Sequence, residues 1–285
     1  MLPEASSEDL LYVTNYSYVS IYSYPKLKLV GTLKGFYSAV GECVDSAGNV
    51  FVTNSNPDAV FEYAHGGVKR IATLLTKKVG PVGCSVDATT GNLAVTGSGA
   101  PYDNRINIFK SARGQPYLYK DPTFFELQFC GYDSNGNLFV DGTTNTSGKA
   151  ALAELPSGKS TLVSIRLNVK IDGSGGIQWD GQFLAVGGYR PPKGTGATPV
   201  IYRFAIKKQR GNSKGTVRFG SPAYQVLQFY ILTNTVLVPN WYYHDNEQRF
   251  NVLTYNYPAG GTPTGTLTKD LAHPRGVIVS LYSGW

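Results

Sequence analysis

Several things are scarce in this chain, and each scarcity excludes something. No apolar run approaches the ~18–20 residues of a membrane-spanning helix, so none is expected. Charged residues make up only 16% against 42% apolar, which excludes a disordered chain. A single Met and few Ala-rich stretches argue against a helical core. Three cysteines are an odd number and imply no complete disulfide framework. No Ser-centred elbow, P-loop, HExxH or EF-hand string is present. The net charge is +7, yet no basic helix and no RNP-like or finger-like pattern accompanies it. The densest basic run, Lys207-Lys208-Gln209-Arg210 with Lys214, contains Gly211 and Gly215 and reads as a turn, so nucleic acid is not an expected partner. Residues 1–9 are polar, with no basic end and no apolar stretch, and do not form a signal peptide. A secreted or periplasmic location would need a leader removed ahead of Met1.

What the chain does have is 33 Gly, 20 Tyr and 13 Phe, the composition of turns and strands. It also repeats. Tyr12-Val13-Thr14-Asn15 recurs as Phe51-Val52-Thr53-Asn54, Ala94-Val95-Thr96-Gly97, Phe139-Val140-Asp141-Gly142, Ala185-Val186-Gly187-Gly188 and Leu237-Val238-Pro239-Asn240. The central Val positions step by 39, 43, 45, 46 and 52 residues. Before each comes a strand end running into an Asp/Gly/Asn hairpin turn, as in Val44-Asp45-Ser46-Ala47-Gly48-Asn49 and Tyr132-Asp133-Ser134-Asn135-Gly136-Asn137. After it comes a turn such as Tyr63-Ala64-His65-Gly66 or Leu155-Pro156-Ser157-Gly158, then a fourth strand, as at 28–33, 70–74 and 161–165.

Four short antiparallel strands per unit, at a period of about 40–50 residues, are a propeller signature. The chain starts on a second strand, and Pro274-Arg275-Gly276-Val277-Ile278-Val279 matches the first strand Pro81-Val82-Gly83-Cys84-Ser85-Val86. The expected fold is therefore all-β: a six-bladed β-propeller with four antiparallel strands per blade, its first blade closed by the C-terminal strand. Residues 1–9 form a polar extension and 10–285 a single domain. The P-x-G-x-x-V-D and G-N-[LV]-[FA]-V-T-[NG] strings resemble those of the NHL and SMP-30-like six-bladed propellers over about residues 10–285. The chain is expected to be a monomer, and the resemblance implies relatives that include lactonases, organophosphate hydrolases and plain binding modules. It also implies a divalent cation in the central channel as the cofactor, although the N-G-L-x-W strand motif of those hydrolases is missing here.

Propeller topology sorts the loops. The end at which each innermost strand begins is called the top; hairpins between first and second strands lie at the bottom. Asp45, Asp87, Asp133 and His65 then fall in bottom turns and read as turn chemistry. At the top lie Tyr189, Arg190, His273, Arg275 and the loop Trp241-Tyr242-Tyr243-His244, whose aromatic faces suit a glycan or a small organic molecule. Aligning the inner strands places Glu42, Cys84, Cys130 and Gln228 at one level, with Arg275 close to Glu42 as an ion-pair partner or a substrate contact. The cysteines read as small apolar filler, as a nucleophile with His273 or His244, or as metal ligands with Glu42 and a His; all three are expected to be free thiols. Glu42, Asp141, His273 and Arg275 are the catalytic candidates; Trp241, Tyr242, Tyr243, His244, Gln228, Tyr189 and Arg190 are the ligand-binding ones. The leading reading is a protein that binds a glycan or small molecule at the top mouth of the channel, with hydrolysis as its chemistry if it is an enzyme. A lactonase- or phosphotriesterase-like hydrolase and a non-catalytic protein-interaction scaffold stand beside it.

Overall fold

The computed structural model of the chain describes residues 5, 7–97, 105–144, 149–190, 198–220, 227–245 and 247–283, and all 24 named strands fall within them. The first sheet holds β1 (Leu10–Thr14), β2 (Tyr18–Ser23) and β3 (Leu29–Lys34), with β24 (Gly276–Ser280) pairing antiparallel to β1 through Val13↔Val277. The second runs β4 (Glu42–Val44), β5 (Val50–Ser55), β6 (Asp58–Tyr63) and β7 (Arg70–Leu75). The third runs β8 (Pro81–Val86), β9 (Leu93–Gly97), β10 (Arg105–Phe109) and β11 (Tyr117–Lys120). Next come β12 (Phe124–Tyr132), β13 (Leu138–Thr144), β14 (Ala150–Leu155) and β15 (Val163–Leu167), then β16 (Ile177–Trp179), β17 (Leu184–Arg190), β18 (Thr198–Lys207) and β19 (Arg210–Arg218). The last sheet runs β20 (Tyr230–Leu232), β21 (Thr235–His244), β22 (Glu247–Asn256) and β23 (Gly260–Leu267).

The expected six separate blades are corrected here. Four sheets have four strands each, as four blades of a propeller-like arrangement, and the fifth has eight, in the order β12-β13-β14-β15-β19-β18-β17-β16. The join is a parallel pairing of β15 with β19 through Arg166↔Arg210 and Leu167↔Gly211. Arg166 N–H donates to Gln209 O (2.9 Å) and Asn168 N–H to Gly211 O (3.1 Å). Gly211 permits the approach, because a Cβ there would lie 2.5 Å from Leu167 Cδ2. The eight-stranded sheet curls until its end strands lie side by side, with a Cβ on Gly131 falling 2.8 Å from Ile177 O, which brings it near to a barrel.

The recurring motif has a structural cause. The hairpin aspartates cap their own turns: Asp45 Oδ1 accepts from Ala47 N–H (2.9 Å) and Asn49 N–H (2.8 Å), and Asp133 Oδ1 from Asn135 N–H (2.8 Å) and Asn137 N–H (2.9 Å). The second-strand threonines tie each unit to the next. Thr14 Oγ1 donates to Val40 O (2.7 Å), Thr53 Oγ1 to Val82 O (3.3 Å) and Thr96 Oγ1 to Gln128 O (2.9 Å). Between neighbouring sheets the faces meet in apolar clusters, such as Tyr12, Val52 and Phe61 between the first two and Phe51, Leu93 and Phe109 between the second and third. Each such buried side chain contributes roughly 1.5–3 kcal/mol. His65 has a wider role than its turn suggests. Its Nδ1 lies 2.7 Å from Ser280 Oγ and its Nε2 3.0 Å from Glu8 O, so it joins the second sheet to both chain ends.

Candidate functional site

The inner strands β24, β4, β8, β12, β16 and β20 surround a cavity of about 210 Å³. It lies along their second halves, toward the bottom turns, with Tyr132, Trp179, Phe229 and Tyr230 among its walls. Toward the top, backbone meets backbone. A Cβ on Gly276 would lie 2.5 Å from Val40 O and 2.8 Å from Gln228 Oε1, and one on Gly83 would lie 2.8 Å from Gln128 O. Gln228 spans this constriction: its Oε1 accepts from Glu42 N–H (2.8 Å) and its Nε2 donates to Glu42 O. Its expected level beside Glu42 shifts, because Tyr230 pairs with Leu237 as Cys43 pairs with Phe51, which puts Gln228 level with Gly41.

The two candidate carboxyls are buried and lie between different pairs of units. Glu42 has no exposure. Its Oε1 accepts from Thr14 N–H (3.3 Å), and its Oε2 has no partner among the described residues. Burial without a countercharge pushes its carboxyl well above the usual carboxylate range. Arg275 does not pair with it; that guanidinium bonds Ser38 Oγ instead (3.2 Å). Asp141 stands in the threonine slot and reverses the polarity of the tie. Its Oδ2 accepts from Gly175 N–H (3.0 Å), and its Oδ1 from Phe129 N–H (2.9 Å). Burial pushes its carboxyl up to about 8. Among the described residues no group of three or more His, Cys, Asp and Glu side chains is placed to hold a metal ion, so the donor set does not fit the channel cation that the family resemblance implies.

The expectation of three free thiols is corrected. Cys43 and Cys84 form a disulfide with a Cα–Cα distance of 5.8 Å, and Cys130 is free and buried. Cys43 does point to the opposite sheet face from Glu42, and that face is the one packed against the third sheet. Cys84 lies on the facing side, in the same apolar cluster. The pairing is diagonal between neighbouring sheets, whereas the spacing argument considered only cysteines at one level. Cys130 Sγ faces Ala94 O (3.8 Å), and burial pushes its thiol up to about 12, which leaves it a poor nucleophile.

The top rim carries a different group. Tyr16 is 41% and Tyr37 54% exposed, with ring centroids 5.9 Å apart. The Arg275 guanidinium lies 5.2 Å from the Tyr16 centroid. These side chains stand on fixed backbone: Ala39 N–H donates to Tyr16 O (3.1 Å), Ser55 N–H to Tyr37 O (3.0 Å) and Arg275 N–H to Thr14 O (2.9 Å). Asn54 Oδ1 accepts from Tyr37 N–H (2.6 Å), which gives the motif's asparagine its purpose. Ser38 and His273, beside this group, hold left-handed backbone at φ 53° and 55°, a strain that concentrates at functional sites. The sequence had singled out Arg275 but not Tyr37; its signal was only an aromatic in a connection at the start of an inner strand.

The Trp241-Tyr242-Tyr243-His244 run is strand rather than loop, since β21 and β22 form one long hairpin pairing through Trp241↔Phe250. Trp241 and Tyr243 meet edge to face at 5.9 Å, and Phe250 lies 4.6 Å from the His273 ring. Tyr242 is half-buried on the same hairpin. Tyr189 is half-buried, and its N–H bonds Asp172 O (2.6 Å). Arg190 and His244 end β17 and β21, and their side chains lie outside the described residues.

No family model matches the chain, and no curated protein sequence matches it. Solved structures do. A chain of a nidogen/laminin complex matches with a TM-score of 0.73 at 11% identity, covering 96% of this chain and 99% of that one. A protein of unknown function from Bacteroides caccae matches at 0.67 and 14%, covering 96% and 99%. TolB from Acinetobacter baumannii matches at 0.66 and 12%, covering 98% and 68%. At such identities the likeness is one of fold alone. With no family match and a merged eight-stranded sheet, the resemblance to six-bladed NHL and SMP-30-like propellers is not upheld. The lactonase and phosphotriesterase expectations came from that resemblance and lose their basis with it.

Proposed function

We propose that the protein is a binding protein that takes a saccharide or other small ring-bearing molecule on its top rim. The observation that carries this reading is the pair of exposed tyrosines, Tyr16 and Tyr37, 5.9 Å apart on hydrogen-bonded backbone. Tyrosines already held in place offer a flat apolar face and a polar edge at small entropic cost, which suits a ring with hydroxyls around it. Trp241 and Tyr243 extend the aromatic surface at the same end of the strands. Binding rather than hydrolysis is favoured because Glu42 and Asp141 are both sealed from solvent, with both Asp141 oxygens and one Glu42 oxygen held by backbone N–H groups. Isothermal titration against a panel of oligosaccharides and aromatic small molecules tests it. Tyr37→Ala and Trp241→Ala should each weaken binding about two- to tenfold with unchanged melting, whereas Lys208→Ala and Lys214→Ala should leave it unchanged. Ligands whose affinity is indifferent to both aromatic substitutions would refute the rim as the site.

A further inference from the structure

The guanidinium in this group raises a separate question. Arg275 is half-buried, and burial acts against its charge. A desolvated cation ordinarily has a carboxylate beside it, because an uncompensated buried charge is costly. Here the partners are a neutral hydroxyl, Ser38 Oγ at 3.2 Å, and the face of the Tyr16 ring. Among the described residues no carboxylate bonds or pairs with it. A guanidinium has five N–H donors in a planar fork, and the contact with Ser38 uses one group of them. Its backbone N–H is tied to Thr14 O (2.9 Å), and Tyr16 and Ser38 flank the side chain. Tyr37, 54% exposed, precedes Ser38 in the chain and places its ring centroid 5.9 Å from that of Tyr16. A planar donor fork beside an aromatic face, with no internal anion, is complementary to a ring bearing a carboxylate.

We infer that the rim site selects an anionic ligand, a carboxylate carried on a sugar or aromatic ring, with the ring against Tyr37 and Tyr16 and the carboxylate on Arg275. This rests on the rim-binding reading above and adds the charge class to it. The chain's net charge of +7 favours the encounter with such an anion. The two sources of this chemistry, acidic sugars and aromatic acids, are separable by experiment.

The test uses the full chain and two probe series in titration calorimetry at low salt. One is a set of uronide tetramers prepared from pectate, alginate and hyaluronan, each beside its neutral methyl ester. The other is benzoate and phenylacetate, each beside its primary amide. Wild-type protein is expected to bind the acid at least about tenfold more tightly than its neutral partner in one of the two series, and which series responds identifies the source. Arg275→Gln should bring the acid down to the level of the neutral form without changing the melting temperature. Arg275→Lys, which keeps the charge without the fork, should retain only part of the preference. If acid and neutral forms bind equally, or if the preference survives Arg275→Gln, the anionic assignment is overturned while rim binding stands. If no probe of either kind binds, both fall. Should Arg275→Gln fail to fold, the salt dependence of the wild-type acid-to-neutral ratio decides. A ratio that falls toward one at high salt supports the ion contact, and a ratio indifferent to salt contradicts it.

Discussion

Breaking the Cys43–Cys84 bond should cost the protein a measurable part of its stability. The bridge closes a loop of 41 residues, one whole repeat from an inner strand to the next. Loop-closure entropy for that length corresponds to about 4 kcal/mol at 25 °C, an upper figure because the unfolded chain retains some structure. Unfolding entropy scales at roughly 2.1 cal/mol/K per residue, which over 285 residues is about 0.6 kcal/mol/K. The loss then lowers Tm by about 7 °C. The perturbation is the Cys43→Ala/Cys84→Ala double variant, with reduced wild type as its control; the two should melt within a degree or two of each other. Scanning calorimetry gives Tm, and thiol titration in denaturant gives the covalent state. Oxidised protein should present one thiol, from Cys130, and three after reduction. Three thiols without reductant, or a double variant melting with oxidised wild type, would refute the argument.

Three further outcomes follow from buried groups and tight backbone. Glu42 has a folded-state pKa raised by burial, so the native state holds a proton that the unfolded state releases, and stability should fall as pH rises from the ordinary carboxylate range toward the folded value. Glu42→Gln removes that slope, and urea melts should show its advantage over wild type growing between pH 5 and 8. His65 shifts the opposite way: burial lowers its pKa, so its contribution is complete above the ordinary value near 6.5 and is lost as pH falls through the folded value. His65→Ala should cost about 1–3 kcal/mol at pH 7.5 and flatten the acid limb, with limited proteolysis reporting earlier release of the chain ends. Gly276→Ala places a methyl 2.5 Å from Val40 O and 2.7 Å from Thr14 Oγ1 and should destabilise by more than about 2 kcal/mol. Gly265→Ala, whose Cβ meets nothing closer than 3.5 Å, is the matched control in thermal melts.

Strands and hairpins are local, and they are legible in the sequence. Alternating Val and aromatics, the Asp/Gly/Asn turns and the Val-Thr-Asn repeat locate most strands within a residue or two, because pleat alternation and turn capping depend only on near neighbours in the chain. The Arg275 position was visible for the same reason, since the C-terminal segment copies an inner strand. What one strand does to a strand in the next unit is not local. The merging of β15 with β19 depends on the long β18–β19 hairpin reaching outward and on Gly211 leaving room for Leu167. The Cys43–Cys84 bond depends on which faces of two sheets oppose each other, which a one-level alignment of inner strands does not reveal. Tyr37 became a candidate only once Asn54 and Ser55 were seen to hold its backbone beside Tyr16 and Arg275. The chain alone determined an all-β protein of repeated four-stranded units. Tertiary structure decided how many sheets those units make, which cysteines meet and where the Arg275 guanidinium sits among aromatics, because each of these is a distance between segments that sequence spacing does not constrain.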